Sequence, residues 1–363
     1  MVQGVSLEVT DYYPSGTEHY NEGRERYDLV NKEQRVGTAY WASSLEACHR
    51  LRSFQLSPAL TTRGTGNLTF RGGDSQARMS DLRFTKIQGM GNDFLIIPIE
   101  DVATLRNAGE LARELCQRNY GAGADGIVFI TPARHEDADF ASRIFNADGS
   151  EAGVSGNGTR CVAAYIYHSG LWSEPTVRIA TAAGVKHGTL VSRNGSQFEF
   201  AFDMGKPILS SQAVPMSITP SVDHVVRYPL HLGGDIHEVT CLSMGNPQCI
   251  LFVNDLSSVR LDELGPLIEN HPMFPDRANV EFVRIISRTE IEIRIWERGA
   301  GHTLSSGTGS CASAIAASLN RLTDRSVTVH TEGGKLTVEW KDDDRVLLTA
   351  AAEVVYEGRW LRQ

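Results

Sequence analysis

The chain has 363 residues, 41% of them hydrophobic and 22% charged, which suits a globular protein long enough for two domains with cores of their own. A net charge of −9 without any Lys/Arg run argues against nucleic acid or an anionic membrane as partner. No run of about 18 apolar residues occurs, and the opening MVQGVSLEVTDYYPSG lacks a basic segment followed by an apolar one, so a cytoplasmic protein with no membrane partner is expected.

Residues 1–80 are polar and rich in Gly, Ser and Thr. They read as a weakly ordered N-terminal extension, with some helix around Glu33 to Phe54 where Tyr40, Trp41, Leu45, Cys48 and Leu51 make a ragged apolar stripe. Met79-Ser80-Asp81 resembles a natural start. From Leu82 onward, β-rich runs predict strands at Arg83–Ile87, Phe94–Pro98, Gly126–Thr131, Phe198–Phe202, Val225–His231, Val280–Ile286 and Glu290–Trp296. Helices are predicted at Ala103–Asn119, Gly158–Tyr167 and Gly309–Leu319. Strand-dominated segments with few helices predict an α+β fold. A turn at Met204-Gly205-Lys206-Pro207 divides the remainder into one half at 81–204, joined by a final strand at 352–363, and a second half at 205–351.

The two halves repeat one another. Arg143-Ile144-Phe145-Asn146 leads to Ser155-Gly156-Asn157-Gly158, and Arg294-Ile295-Trp296-Glu297 leads to Ser306-Gly307-Thr308-Gly309. Met90-Gly91-Asn92 returns as Met244-Gly245-Asn246, and Ala124-Asp125-Gly126 as Ala278-Asn279-Val280. A spacing of about 150 residues is far longer than that of solenoid repeats, so it marks a duplicated domain with a cleft between the copies.

Each Ser-Gly-x-Gly is a glycine-rich turn feeding a helix N-terminus. Free backbone N–H groups and the positive dipole end make such a turn an anion site, and two of them facing one cleft can grip a carboxylate. Taken singly, such a turn is more often a structural N-cap; its duplication favours a site. Abstracting the α-proton of an amino acid needs a base on one face, an acid on the other, and stabilisation of the charge spreading onto the carboxylate. Two pseudo-symmetric halves meet that need.

The six cysteines are scattered without C-x-x-C pairs, so neither a zinc site nor a disulfide framework is signalled. No metal constellation, P-loop or lysine for a pyridoxal Schiff base stands out, and no cofactor or metal is expected. The sequon at Asn157-Gly158-Thr159 lies inside the repeated motif, where a glycan would fill the site.

Taken in order, FTKIQGMGNDF, GAGADGIVF, IFNADGSEAGVSGNGTRC, MGNP, ANVEFV and ERGAGHTLSSGTGSC resemble the diaminopimelate epimerase family over about Leu82 to Gln363. The resemblance implies two similar halves, each a β-barrel-like sheet around a central helix, with the active site in the cleft between them. It also implies a cofactor-independent amino-acid epimerase of lysine and peptidoglycan biosynthesis, interconverting LL- and meso-diaminopimelate, or acting on a related amino acid, by proton abstraction and return at Cα. Substrate contacts then fall on Asn92, Asn146, Gly156, Asn157, Asn246, Asn279, Glu297, Arg298, Gly307 and Thr308. Arg298 can hold a carboxylate bidentately, and the asparagines suit ammonium and carboxylate groups.

The family's two acid/base positions, which are cysteines in the epimerase, are here Ser155 and Ser306. A thiol ionises near neutral pH and an unassisted hydroxyl does not. The histidine following MGNP in many relatives is Gln248, and the glutamate after ERGAG is His302. Glu297 is a candidate base for Ser306, and His302 has the unperturbed pKa best suited to proton transfer. Cys161 and Cys311, in the first turns of the helices, read as packing residues. Three functions therefore stay open: an epimerase using the serine pair, another α-deprotonating isomerase or dehydratase on the same scaffold, or an amino-acid-binding homologue without catalysis. A homodimer is compatible with each.

Overall fold

The computed structural model describes residues 82–100, 107–134 and 136–361. The extension at 1–80 and its helix at Glu33 to Phe54 lie outside the described residues. The first half holds β1 (Leu82–Gly89), β2 (Asn92–Pro98), α1 (Ala108–Leu115), β3 (Gly126–Pro132), β4 (Phe140–Asn146), β5 (Glu151–Ala152), α2 (Gly156–His168), β6 (Thr176–Thr181), β7 (Gly184–Asn194) and β8 (Gln197–Asp203). The second holds β9 (Val225–Leu232), β10 (Asp235–Ser243), β11 (Pro247–Phe252), α3 (Leu261–Glu269), β12 (Asn279–Ser287), β13 (Glu290–Glu297), β14 (Gly301–Thr303), α4 (Gly307–Leu319), β15 (Ser326–Thr331), β16 (Gly334–Trp340) and β17 (Val346–Trp360). Of the helix expected at Ala103–Asn119, residues 103–106 lie outside the described part and the helix runs from Ala108 to Leu115. The helix α3 has no counterpart in the expected elements, because Pro266 and Gly265 interrupt its helical signal.

The strand pairing of one half is the pairing of the other. In both, an antiparallel pair (β1–β2; β10–β11) continues into a parallel one (β2–β3; β11–β12), then an antiparallel and a second parallel step (β3–β4–β6; β12–β13–β15). Antiparallel pairs close the series (β6–β7–β8; β15–β16–β17). The 15-residue β17 belongs to both halves: its first part pairs with β16 and β8, and its last part with β1. It thereby closes the first sheet into a ring, and closure removes the exposed edges a flat sheet would present.

The sheet of each half wraps one helix. Every residue of α2 from Gly158 to Tyr167 is buried, and so is every residue of α4 from Gly309 to Ala317. A helix apolar all round has no solvent side and must be wrapped. One core joins α2 to Ile96, Val128, Ile144 and Phe200, and another joins α4 to Ile250, Val283, Ile295 and Leu348.

The register corrects the repeat by one residue. Gly126 lies opposite Asn146, whereas Val280 lies opposite Trp296, which sets Asn279 at the level of Glu297. With Asn146 and Glu297 equivalent, Gly126 matches Asn279.

The turn Met90-Gly91 shows how the halves interlock. Gly89 pairs with Asn92, leaving a two-residue turn in which Met90 and Gly91 have φ of 59° and 80°. That primed hairpin turn suits glycine and is costly for methionine. Burial offsets the strain, since the Met90 side chain is packed into the core around α4.

Candidate active site

Ser155 and Ser306 cap the two enclosed helices in the same way. Their backbones are extended (φ −130°, ψ 125° and φ −137°, ψ 125°), and their hydroxyls accept from Gly158 N at 3.0 Å and Gly309 N at 3.3 Å. Neither helix carries an acidic residue in its first turn, so no side chain of its own quenches the positive end. Both first turns reach β17. Arg160 Nε donates to Ala351 O at 2.9 Å, and a Cβ on Gly307 would stand 3.7 Å from Leu348 Cδ1. Leu348 and Ala351 span only about 10 Å of strand, so the helix ends converge on one short segment.

The first half presents its asparagines on a charged scaffold. Asn92 Nδ2 donates to Asp125 Oδ2 at 2.7 Å, and Asn157 Nδ2 lies 3.5 Å from Asn92 Oδ1. Arg160, only 2% exposed, donates to Asn157 Oδ1 at 2.7 Å and fixes which face that amide shows. Asp125 is held by Arg118 at 2.7 Å and accepts from the backbone N of Asp93. Burial alone would raise the Asp93 carboxyl, but Lys86 at 2.8 Å and Arg118 at 3.2 Å together hold it below the usual carboxylate range. Asn146, exposed at the end of β4, donates to Ser150 Oγ instead.

In the second half the turn after β13 is fastened at three points. Trp296 Nε1 and Gly299 N donate to the buried carboxylate of Glu269 on α3 at 2.7 and 3.0 Å, and Arg298 N donates to Asn279 Oδ1 at 2.8 Å. Asn279 is therefore a brace for the Glu297-Arg298 turn. The exposed Arg298 guanidinium rests on Asp276 O at 2.7 Å. Asn246 accepts from Gln248 Nε2 at 2.8 Å, and His302 is turned to Glu332. Gly156, Gly307 and Thr308 lie in the first helical turns with Asn157, as the motif spacing requires.

The thiols next to the motifs are inert. Burial pushes Cys161 up to about 12 and Cys311 higher still, so neither supplies a thiolate near neutral pH. The supporting residues that sequence reasoning missed are Asp93, Asp125, Arg160, Glu269 and Glu281. Arg160 and Asp125 stand inside motifs already singled out; Glu269 gives no local signal at all.

Two like barrels, each wrapped around a helix whose capped end opens toward a strand common to both, define a class of fold. It is shared with a hydroxyproline epimerase from Agrobacterium vitis with bound trans-4-hydroxy-L-proline (TM-score 0.54, 17% identity, 77% of this chain and 91% of that one). A Bacillus anthracis phenazine biosynthesis protein of the PhzF family has it too (TM-score 0.55, 17% identity, 78% and 99%).

Within that class, the family model for diaminopimelate epimerase matches residues 84–210 and 240–355, and the chain belongs to this family. It is 42% identical over 279 residues to the diaminopimelate epimerase of Halothermothrix orenii, spanning 77% of this chain and 98% of that protein. Against that of a Cyanothece species the identity is 43% over 281 residues, spanning 76% and 99%.

Proposed function

We propose that the protein is a cofactor-independent amino-acid epimerase that interconverts LL- and meso-diaminopimelate by removing and returning the α-proton. The observation that carries this reading is the matched pair of serine-capped helix ends, Ser155-Gly156-Asn157-Gly158 and Ser306-Gly307-Thr308-Gly309, meeting at one stretch of β17. In this reading the ligand carboxylate lies between the two turns, where backbone N–H groups and both dipole ends stabilise the negative charge that grows as the Cα–H bond breaks. Ser155 and Ser306 address opposite faces of Cα. Asn92, Asn146, Asn157, Asn246 and Asn279, with Glu297 and Arg298, line the polar pocket around the remaining amino and carboxylate groups.

Relatives that are diaminopimelate epimerases, the ordered motifs and the asparagine scaffold support the assignment. A biosynthetic role in lysine formation in the cytoplasm, with two copies pairing as a homodimer, belongs to the same reading. The five described cysteines, all free and buried, fit a reducing compartment.

Incubation with LL-diaminopimelate in D2O tests the proposal. The expected result is α-deuterium exchange together with formation of the meso isomer. Exchange without inversion favours another α-deprotonating reaction, and tight binding without exchange favours a binding protein.

A further inference from the structure

Glu281 stands within β12, and its register fixes where it points. It lies opposite Ile250 and Ile295, both members of the core around α4, so its side chain enters the second barrel. The residue is completely buried, and neither carboxyl oxygen has a hydrogen-bond partner among the described residues. The same pairing in the first barrel sets Val128 against Ile96 and Ile144. One half thus carries an acid where the other carries an apolar side chain.

The carboxyl is lodged against the first turn of α4. A Cβ on Gly309 would meet Glu281 Oε1 at 2.6 Å and Ser306 Cβ at 3.3 Å, so acid and serine flank the same point. Gly309 N in turn donates to Ser306 Oγ. Desolvation, reinforced by the negative charge of Glu297 on β13, raises the Glu281 pKa well above the usual carboxylate range. From β11 and β10 the neighbouring titratable groups are Cys249, itself raised by burial, and Cys241. The positive end of α4 works the other way, but a helix-end effect is small beside full desolvation.

From this placement we infer that Glu281 is the proton partner of Ser306, a positioning residue that acts through the serine hydroxyl. The inference rests on the α-proton chemistry proposed above. As the ligand Cα–H bond breaks, its proton forms a new O–H bond on Ser306 Oγ while the original hydroxyl proton passes to the Glu281 carboxylate. The electron pair stays on the ligand, spread into its carboxylate. The return step runs the same transfers backwards. A carboxyl raised above its usual range takes and gives a proton at higher pH than an exposed glutamate, which supplies from two groups what a thiol supplies alone. Glu281 and Ser306 are not hydrogen-bonded at rest, a looseness common before a ligand tightens a site. Among the described residues Ser155 has no such partner, because Val128 fills the matching place.

Glu281→Gln keeps shape and removes the titration. Exchange of diaminopimelate in D2O is followed against pH for the parent, Glu281→Gln, Ser306→Cys and the double variant. Glu281→Gln is expected to lose at least about 100-fold in exchange, and Ser306→Cys to restore it in the Glu281→Gln background, since a thiol needs no carboxyl behind it. Parent-like exchange in Glu281→Gln, or a double variant as slow as Glu281→Gln, overturns the inference. Urea melts read the same carboxyl without turnover. Glu281→Gln should be the more stable protein at pH 8 and equal to the parent at pH 4, because a raised acid costs the fold stability progressively as pH climbs from its unfolded pKa toward its folded one. A parent more stable than the variant at pH 8 means an ionised, paired Glu281 and also overturns it. A parent that exchanges no diaminopimelate isomer sinks the proposed function and this role together; exchange retained in Glu281→Gln sinks the role alone.

Discussion

Gly333 sits at the turn between β15 and β16, where the second half meets the Met90-Gly91 turn of the first. A Cβ there would stand 2.2 Å from Met90 O and 3.2 Å from Leu304 O, both backbone atoms. Gly333 N also donates to Leu304 O at 2.8 Å, so the turn cannot back away without losing that bond. Gly333→Ala must therefore open the contact by about 1 Å, and overpacking of this kind costs about 1–3 kcal/mol. The gain from a stiffer unfolded chain, about 0.4–1 kcal/mol, is too small to offset it. A net loss of about 1–1.5 kcal/mol corresponds to a melting point lower by roughly 2–6 °C for a domain of this size. The Michaelis constant should rise as well, because the displaced turns lead directly to Asn92 and, through Leu304, to Ser306. Thermal unfolding and steady-state epimerisation measure both effects, with Gly153→Ala as the control, since nothing lies within 4 Å of a Cβ at that position. A Gly333→Ala protein that melts with the parent and keeps its Michaelis constant would refute the reasoning from close approach.

Arg160→Lys should destabilise by about 2–3 kcal/mol in urea melts, because an ammonium cannot serve both Ala351 O and Asn157 Oδ1 and remains buried; a neutral result removes Arg160 from the support of Asn157. Burial would raise Asp139, but the bidentate grip of Arg178 holds it below the usual range. Its contribution is thus present above the unfolded carboxylate pKa and lost as pH falls through the folded one. Asp139→Asn should accordingly destabilise at pH 7 and cost little once both states are protonated; a gap that persists in acid contradicts this. Arg298→Ala should weaken binding of diaminopimelate by about 2–5 kcal/mol if the guanidinium leaves Asp276 O for a desolvated carboxylate, and calorimetry showing unchanged affinity assigns it to the turn alone. Ser155→Cys with Ser306→Cys should raise epimerisation by about 10²–10⁴-fold over the parent, whereas a folded double variant that exchanges no α-proton shows that the pocket itself differs.

Local chemistry determined much of this protein from the sequence alone. A helix could be read after each Ser-Gly-x-Gly because a glycine-rich turn before an apolar run marks a helix start, and both helices form there; that Ser155 and Ser306 also serve as their N-caps is what the structure adds. The duplicated motifs specified two like halves, since equal sequence patterns pair their strands alike. What depended on distant partners stayed hidden. The one-residue offset between Gly126 and Asn279 appears only when β4 and β13 lie alongside. The strand β17 serves both barrels through Val346–Ala350 against β16 and Glu353–Trp360 against β1, and no window of sequence shows that. Alternation puts Glu281 on the face of Asn279 and Val283, yet both faces of β12 are covered, so period two could not say which one holds α4. Whether a carboxyl meets water or the floor of a helix is settled by which strands close the ring, and ring closure is a property of the whole chain.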